Sequence, residues 1–283
     1  MNLKKEYQQI AFVFLGFIGL LRLGKPLTEY LNLYSENLIQ NELLAGIFVR
    51  TVILVFLLIL IKRFSLLQFN GLNKPFSVQN PQALIIIASL LSIAAVGKWD
   101  TYANADVLLF VAFTLNVLLV GMVEEVSFRG IIFPLFIRAQ AQSRYVFYIS
   151  AALAGLMFGV VHFINLFREP DNFWGITRQV IFAFCIGIFF SGLLLRTGNI
   201  IVVSLVHGFV NFALGTGRLK KEIVTQAFEQ VEEFEQGFDW IGAIFTALFF
   251  LVFLVGGLFM IGKVKKEDVE AKLGQYSEHT ESV

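Results

Sequence analysis

Charge is what this sequence has least of. Only 15% of its 283 residues are Asp, Glu, Lys or Arg, against about a quarter in soluble domains. With 57% hydrophobic residues, that deficit excludes an ordinary water-soluble domain and indicates a chain that uses lipid as solvent over most of its length. The 22 basic and 21 acidic residues nearly cancel, so nothing in the balance calls for nucleic acid or an acidic macromolecule as partner. The single cysteine, Cys185 in IFAFCIGIFF, excludes an intrachain disulfide framework and a CxxC redox pair. Its apolar neighbours make it a packing residue. No internal repeat, low-complexity stretch or proline-rich linker divides the chain.

What is present is a series of nearly uncharged runs. Crossing a hydrocarbon core of about 30 Å takes about 20 helical residues. Eight runs approach that length, at 10–23, 43–61, 82–96, 107–123, 146–167, 176–195, 200–214 and 240–261. The expected fold is all-α, a polytopic membrane helix bundle with about eight transmembrane helices. One membrane-embedded domain would occupy 1–262 and a polar tail 263–283, whose composition is that of a disordered segment. The first run follows Lys4 and Lys5 as in a signal peptide, but LRLGKPL has no small-x-small cleavage site and reads as a retained helix. Lys4, Lys5, Lys62, Arg63, Lys74, Arg138, Arg144, Arg196, Lys263, Lys265 and Lys266 fall on one side of this layout. The positive-inside rule makes that side cytoplasmic, so both termini are expected in the cytoplasm of a multi-pass cell-membrane protein. The opposite side carries the acidic QVEEFEQGFD, with Lys220 and Lys221 as a counter-signal.

An ionisable group at mid-bilayer costs about 2.5 to 3.5 kcal/mol on insertion scales, so each one inside a run needs a reason. Arg22, Arg50 and Arg178 lie close enough to span ends for snorkelling to account for them. The group EEVSFR at the end of the fourth run sorts by helical spacing. Glu125 and Arg129 are four residues apart and share a face, so they are expected to pair. Glu124 is turned about 100° away and has no partner on its own helix. Such a carboxylate in low dielectric suits a general base, although an EExxxR group also suits an ordinary charged helix end. Two of the three histidines, His162 and His207, sit inside apolar runs, while His279 lies in the tail. Buried imidazoles serve either interhelical hydrogen bonds or chemistry. Asn211 lies one turn beyond His207 on the same face. The small pairs Gly155/Gly159, Gly187/Ser191 and Ser204/Gly208 would let these helices approach closely. Together they predict one cavity shared by Glu124, His162, His207 and Asn211.

No GxSG serine elbow, GxGD aspartate or HExxH zinc helix is present, and Cys185 has no polar neighbour to activate it. The remaining carboxylate, two imidazoles and amide can activate water and stabilise an oxyanion, which is equipment for peptide-bond hydrolysis. EEVSFR from Glu124, FGVVH from Phe158 to His162 and HGFVN from His207 to Asn211 occur in this order on successive runs. They match EExxxR, FxxxH and HxxxN/D, and the chain so resembles the CPBP family, the type II CAAX prenyl proteases and the bacteriocin-processing and immunity proteins similar to them. The resemblance implies that Glu124 is the general base and that His162 binds the attacking water. It also implies that His207 and Asn211 stabilise the oxyanion, that Glu125 and Arg129 support the site, and that Phe158 forms its wall.

The family is commonly labelled a metalloprotease and is also described as working without metal, so the cofactor expectation is none or zinc. If a metal were bound, its ligands would be His162, His207 and Glu124. The expected partners are the lipid bilayer and a membrane-associated or lipid-tethered protein or peptide, with no nucleic acid. Two other readings stand beside hydrolysis. One is a catalytically silent scaffold or bacteriocin-immunity factor. The other is a proton-coupled carrier, against which no inverted repeat or pair of broken helices is visible.

Overall fold

The computed structural model describes residues 3–32, 38–167, 169–215, 240–265 and 267–269. The acidic segment 230–239, Lys220, Lys221, His279, the tail from 270 and the side chain of Arg22 lie outside the described residues. Among those described there is no strand. Within the described residues ten α-helices follow in order: α1 Leu3–Asn32, α2 Leu38–Arg63, α3 Ile85–Val96, α4 Trp99–Ala103, α5 Val107–Ser127, α6 Phe133–Ala139, α7 Val146–Val161, α8 Phe173–Thr197, α9 Ile200–Leu214 and α10 Trp240–Gly262.

Each of the eight apolar runs falls within helix, and the chain is an all-α, multi-pass membrane bundle. Five stretches are long and apolar enough to cross a membrane: Leu43–Arg63, Val107–Ala139, Val146–Phe167, Phe173–Thr197 and Gly242–Gly262. Pro81–Val96 and Ile200–Leu214 are apolar but shorter. The 15 residues of α9 rise about 22 Å, less than a hydrocarbon core. Burial shows which helix is central. Sixty-seven per cent of the apolar window in α8 is buried, against 22% in Gly242–Gly262 and 28% in Leu43–Arg63. The two outer helices turn Phe48, Val52, Ile59, Phe245, Val255 and Phe259 outward, as a lipid-facing surface requires. Arg178 is exposed on α8, in keeping with snorkelling.

Local chemistry sets the helix ends. Asp106 caps α5 by accepting the Leu109 N–H at 3.0 Å, and Asn199 caps α9 by accepting that of Ile201 at 2.9 Å, each satisfying an otherwise orphaned donor. Between them α8 ends on Gly198 in the left-handed region, at φ 64°, where glycine carries no Cβ penalty. The fourth run differs from expectation. It does not stop near Val123 but continues as a 33-residue rod, Val107–Ala139, about 50 Å long. Inside the rod Phe128–Ile132 form a π-turn, a wide turn that leaves backbone groups needing partners. Asn70, fully buried in the loop after α2, supplies one, its Nδ2 donating to the Gly130 carbonyl at 2.9 Å and to that of Leu66 at 2.9 Å. The Asn70 carbonyl in turn accepts the Ile200 N–H at 3.1 Å.

The rod packs on α9 and α2, and α8 packs between α7 and α10. Gly121 and Gly208 mark the closest approach of α5 to α9. A Cβ at Gly121 would stand 2.6 Å from the Gly208 nitrogen and 2.8 Å from the Ser204 carbonyl oxygen. The expected Ser204/Gly208 seam is therefore used, and Gly121 is its unforeseen counterpart. Gly121→Val should destabilise the protein by about 2 kcal/mol or more, since neither backbone can yield. Thermal unfolding in detergent, with Gly16→Ala in open space as control, measures it.

Candidate active site

Just beyond the Gly121/Gly208 crossing, α5 turns two carboxylates toward α9. Glu125 is fully buried, and its Oε1 accepts a hydrogen bond from Arg129 Nη1 at 3.0 Å, so the pair expected from spacing is formed. Arg129 is also fully buried. Its guanidinium carbon lies 4.3 Å from the centre of the Phe158 ring, 5.5 Å from that of Phe190 and 6.0 Å from that of Phe128. Rings at these distances attract a desolvated cation through their negative faces. Gly187 of α8 makes the room: a Cβ there would meet Arg129 Nη2 at 2.8 Å and the Gly155 Cα at 3.0 Å. Glu125, Arg129 and their aromatic cage thus hold α5, α7 and α8 around one charge pair.

Glu125 does more than neutralise Arg129. The same Oε1 lies 2.7 Å from Nδ1 of His207. A carboxylate ion-paired to arginine can only accept, so Nδ1 carries the hydrogen. The other ring nitrogen, Nε2, stands 3.5 Å from Glu124 Oε2. The His207 ring stacks on Phe190 with centres 5.0 Å apart and planes at 26°, which fixes the imidazole plane between the two carboxylates.

Glu124 differs from its neighbour in exposure, at 21% of its side chain against none for Glu125. It opens on a cavity of about 520 Å³ that Phe158, His162, His207 and Asn211 also line. All four polar residues expected to converge therefore share one space, drawn from α5, the end of α7 and α9. Glu125 and Arg129 stand behind its wall. The EExxxR group is not a charged helix end, because it lies near the middle of the 33-residue rod.

His162 sits where α7 gives way to the 3-10 turn His162–Phe167, rather than within a regular span. Its Nδ1 is 2.8 Å from the Phe158 carbonyl oxygen. That acceptor again requires a hydrogen on Nδ1 and leaves Nε2 of the neutral ring as an acceptor. The turn is tied to α8 by Asn165 Nδ2 donating to Gln179 Oε1 at 3.0 Å. From Glu124 the cavity extends toward Gln179 near the start of α8 and Leu214 and Gly215 at the end of α9. Those are the helix ends opposite to Arg63, Arg138, Arg196 and Lys263.

Among the described residues, no three His, Cys, Asp or Glu side chains are grouped so as to hold a metal ion. Zinc would need donors at about 2.0 to 2.2 Å. Here His207 is held through Nδ1 by Glu125 and faces Glu124 through Nε2, and His162 completes no three-donor group. The donor set does not fit a zinc site in this arrangement.

Residues 106–213 match the family model described as Type II CAAX prenyl endopeptidase Rce1-like. The matched segment begins at the capping Asp106 and ends within α9, so it contains every polar residue of the cavity wall drawn from α5, α7 and α9. Over those residues the chain is similar to the CAAX-type endopeptidase family. Comparison with curated proteins and with solved structures finds no match.

Sequence reading missed two groups that line this cavity, Asn116 and Gln179, and assigned a third, Arg50, to snorkelling. Instead Arg50 Nη1 donates to Asn116 Oδ1 at 2.9 Å within the cavity wall. An asparagine at mid-run opposite an arginine on an earlier run was the available signal. The charge pair yields a test of its own. Arg129→Met strands the Glu125 charge and should cost about 3 to 5 kcal/mol, whereas adding Glu125→Gln should restore part of that loss. Thermal unfolding of the two single variants and the double variant measures the coupling.

Proposed function

We propose that the chain is an intramembrane endopeptidase that hydrolyses a peptide bond in a membrane-associated or lipid-tethered protein or peptide, with Glu124 as general base. One observation carries the reading: of two adjacent carboxylates, Glu125 is locked by Arg129 and His207, while Glu124 alone reaches the cavity. The similarity of residues 106–213 to a family of endopeptidases supports it.

The chemistry follows from the hydrogen-bond roles. A water hydrogen-bonded to Glu124 Oε2 gives up a proton to the carboxylate as its oxygen adds to the peptide carbonyl. His162, with Nδ1 committed to the Phe158 carbonyl, offers Nε2 as an acceptor that orients this water. The oxyanion needs donors, and His207 supplies one as imidazolium, Nδ1–H directed to Glu125 and Nε2–H to the cavity. In that form Glu124, Glu125, Arg129 and His207 sum to zero charge, the arrangement a low-dielectric site favours. Asn211, on the cavity wall one turn beyond His207, is the second donor through its amide. Collapse of the tetrahedral intermediate breaks the C–N bond, and the proton held by Glu124 passes to the departing amine. The scheme uses no metal.

The basic helix ends support the reading that both termini lie on the cytoplasmic side of the cell membrane. The cavity, extending away from those ends, then opens on the far side of the membrane, where it would take substrates presented from outside the cytoplasm.

Glu124→Gln should lower turnover by about 10² to 10⁴-fold, the range for a lost general base, without lowering thermal stability. Comparative proteomics of membranes carrying wild type or Glu124→Gln identifies the peptide released only by the former. Activity on that peptide should survive chelation; loss restored by added zinc would reject the metal-free scheme. For orientation, Gly215→Cys in a Cys185→Ala background should react in intact cells with a membrane-impermeant maleimide. Labelling only after cell disruption would reverse the assignment.

A further inference from the structure

A second hollow, of about 240 Å³, shares no residue with the cavity at Glu124. It lies between the start of α3, the last turns of α8 and the last turns of α10. α8 and α10 meet there backbone to backbone. A Cβ at Gly192 would stand 2.7 Å from the Gly257 carbonyl oxygen, and one at Gly257 would stand 2.6 Å from the Phe189 nitrogen. The turn before α3 is tied to the end of α8. Asn80 Nδ2 donates to the Arg196 carbonyl at 3.0 Å, and the Gln79 N–H donates to that of Thr197 at 2.9 Å. α3 then packs on α9, which leaves a groove between it and α10.

Polarity along this groove is one-sided. Gln82, Arg196 and Lys263 stand at one end, and every other lining residue is apolar. Leu90 lies eight residues after Gln82, Phe189 seven before Arg196 and Val252 eleven before Lys263. The apolar walls therefore run about 10 to 16 Å away from the charged end. Gly256 keeps the space open midway, since a Cβ there would only touch the Phe189 ring at 3.6 Å. Both cations are held at the mouth. Arg196 Nη1 donates to the Lys263 carbonyl at 3.3 Å, which engages one of five N–H donors. The Lys263 ammonium lies 5.2 Å from the centre of the Phe259 ring, on the exposed rim. Among the described residues neither cation is in an ion pair.

These features select an occupant. A guanidinium takes phosphate oxygens through its fork and an ammonium takes them as a point charge. A free phosphate would leave the apolar length unused. A peptide laid along that length would face its backbone N–H and C=O groups with walls that offer no partners. A hydrocarbon chain gains from every methylene it buries there. The charged end of the groove also coincides with the basic helix ends of the bundle, the level at which anionic headgroups are attracted.

We propose that this groove binds one anionic phospholipid of the bilayer, its phosphate held by Arg196 and Lys263 and one acyl chain lying along the apolar wall between α3 and α10. The lipid then joins α10, the least buried of the spanning helices, to the α3 side of the bundle.

The test uses the full-length protein in a non-ionic detergent, with bound lipid counted by native mass spectrometry. The probes are dioleoylphosphatidylglycerol, dioleoylphosphatidylcholine and, as a headgroup alone, glycerol phosphate. One phosphatidylglycerol should bind about tenfold or more tightly than phosphatidylcholine, the worth of one charge-assisted hydrogen bond. Arg196→Gln with Lys263→Gln should remove that preference, and Arg196→Lys with Lys263→Arg should keep most of it. Lys263→Gln alone, at an exposed position, should lose part of it. Gly256→Leu keeps both charges but fills the groove, and should weaken phosphatidylglycerol about tenfold. Equal retention of the two lipids overturns the proposal, as does a preference that survives the paired glutamines or an affinity that survives Gly256→Leu. Three further results also overturn it by naming another occupant: glycerol phosphate binding as tightly as the lipid, a farnesylated peptide displacing phosphatidylglycerol, or a protein dimer that Gly256→Leu dissociates. Glu124 takes no part in the measurement, so its outcome is independent of the hydrolytic reading.

Discussion

Glu125 and Arg129 are a full ion pair with no solvent contact on either side chain, and the arrangement of the central helices follows from it. Removing two such charges from water costs several kcal/mol per ion, which mutual attraction offsets only in good geometry with further partners. The partners come from three other places in the chain: the Phe158 ring of α7, the Phe190 ring of α8 and the His207 imidazole of α9. A chain that contains this pair cannot place α7, α8 or α9 elsewhere without exposing a charge to lipid. Gly187, set against the guanidinium, lets α8 come close enough to complete the enclosure.

Once Glu125 is committed in this way, the adjacent glutamate acquires a different chemistry. Consecutive helical positions point about 100° apart, so one carboxylate enters the packed interior and the other the cavity. His207 joins them, with one nitrogen on each. Both imidazoles have Nδ1 fixed by an acceptor, a carboxylate for His207 and a carbonyl for His162, so in each Nε2 is the ring nitrogen not held in that way. Such fixed donors and acceptors let a site meet developing charge without reorganising.

The all-helical class and the polar convergence were legible in the sequence, for different reasons. Lipid forces every backbone group to be satisfied within a helix, so apolar runs such as 43–61 and 146–167 could hardly be read otherwise. Glu125 and Arg129 were legible because a four-residue spacing is local geometry. The extension of the fourth run to Ala139 was not, because hydropathy alone stops at the first charge and the π-turn at Phe128–Ile132 has no compositional mark. The 3-10 turn at His162–Phe167 was hidden in the same way, since HFINLF has no glycine, proline or charge to mark a change of helix type. Arg50 was misread for a third reason. Its contact with Asn116 spans 66 positions in sequence, and no local spacing encodes a meeting at that separation.

Asn70 touches neither the cavity nor any charge, yet it grips both helices that form the Glu125–His207 contact. Through Nδ2 it grasps the rod at Gly130, and through its carbonyl it grasps the first residue of α9. A second junction, where Gly121 meets Gly208, lies about 12 Å further along α9. Two members joined at two separate heights form a rigid frame, whereas one joint would leave a pivot. Any widening of the cavity must therefore come from α2, α7, α8 or the 3-10 turn, which supply the rest of its lining, while the α5–α9 side stays immobile as the jamb of that doorway.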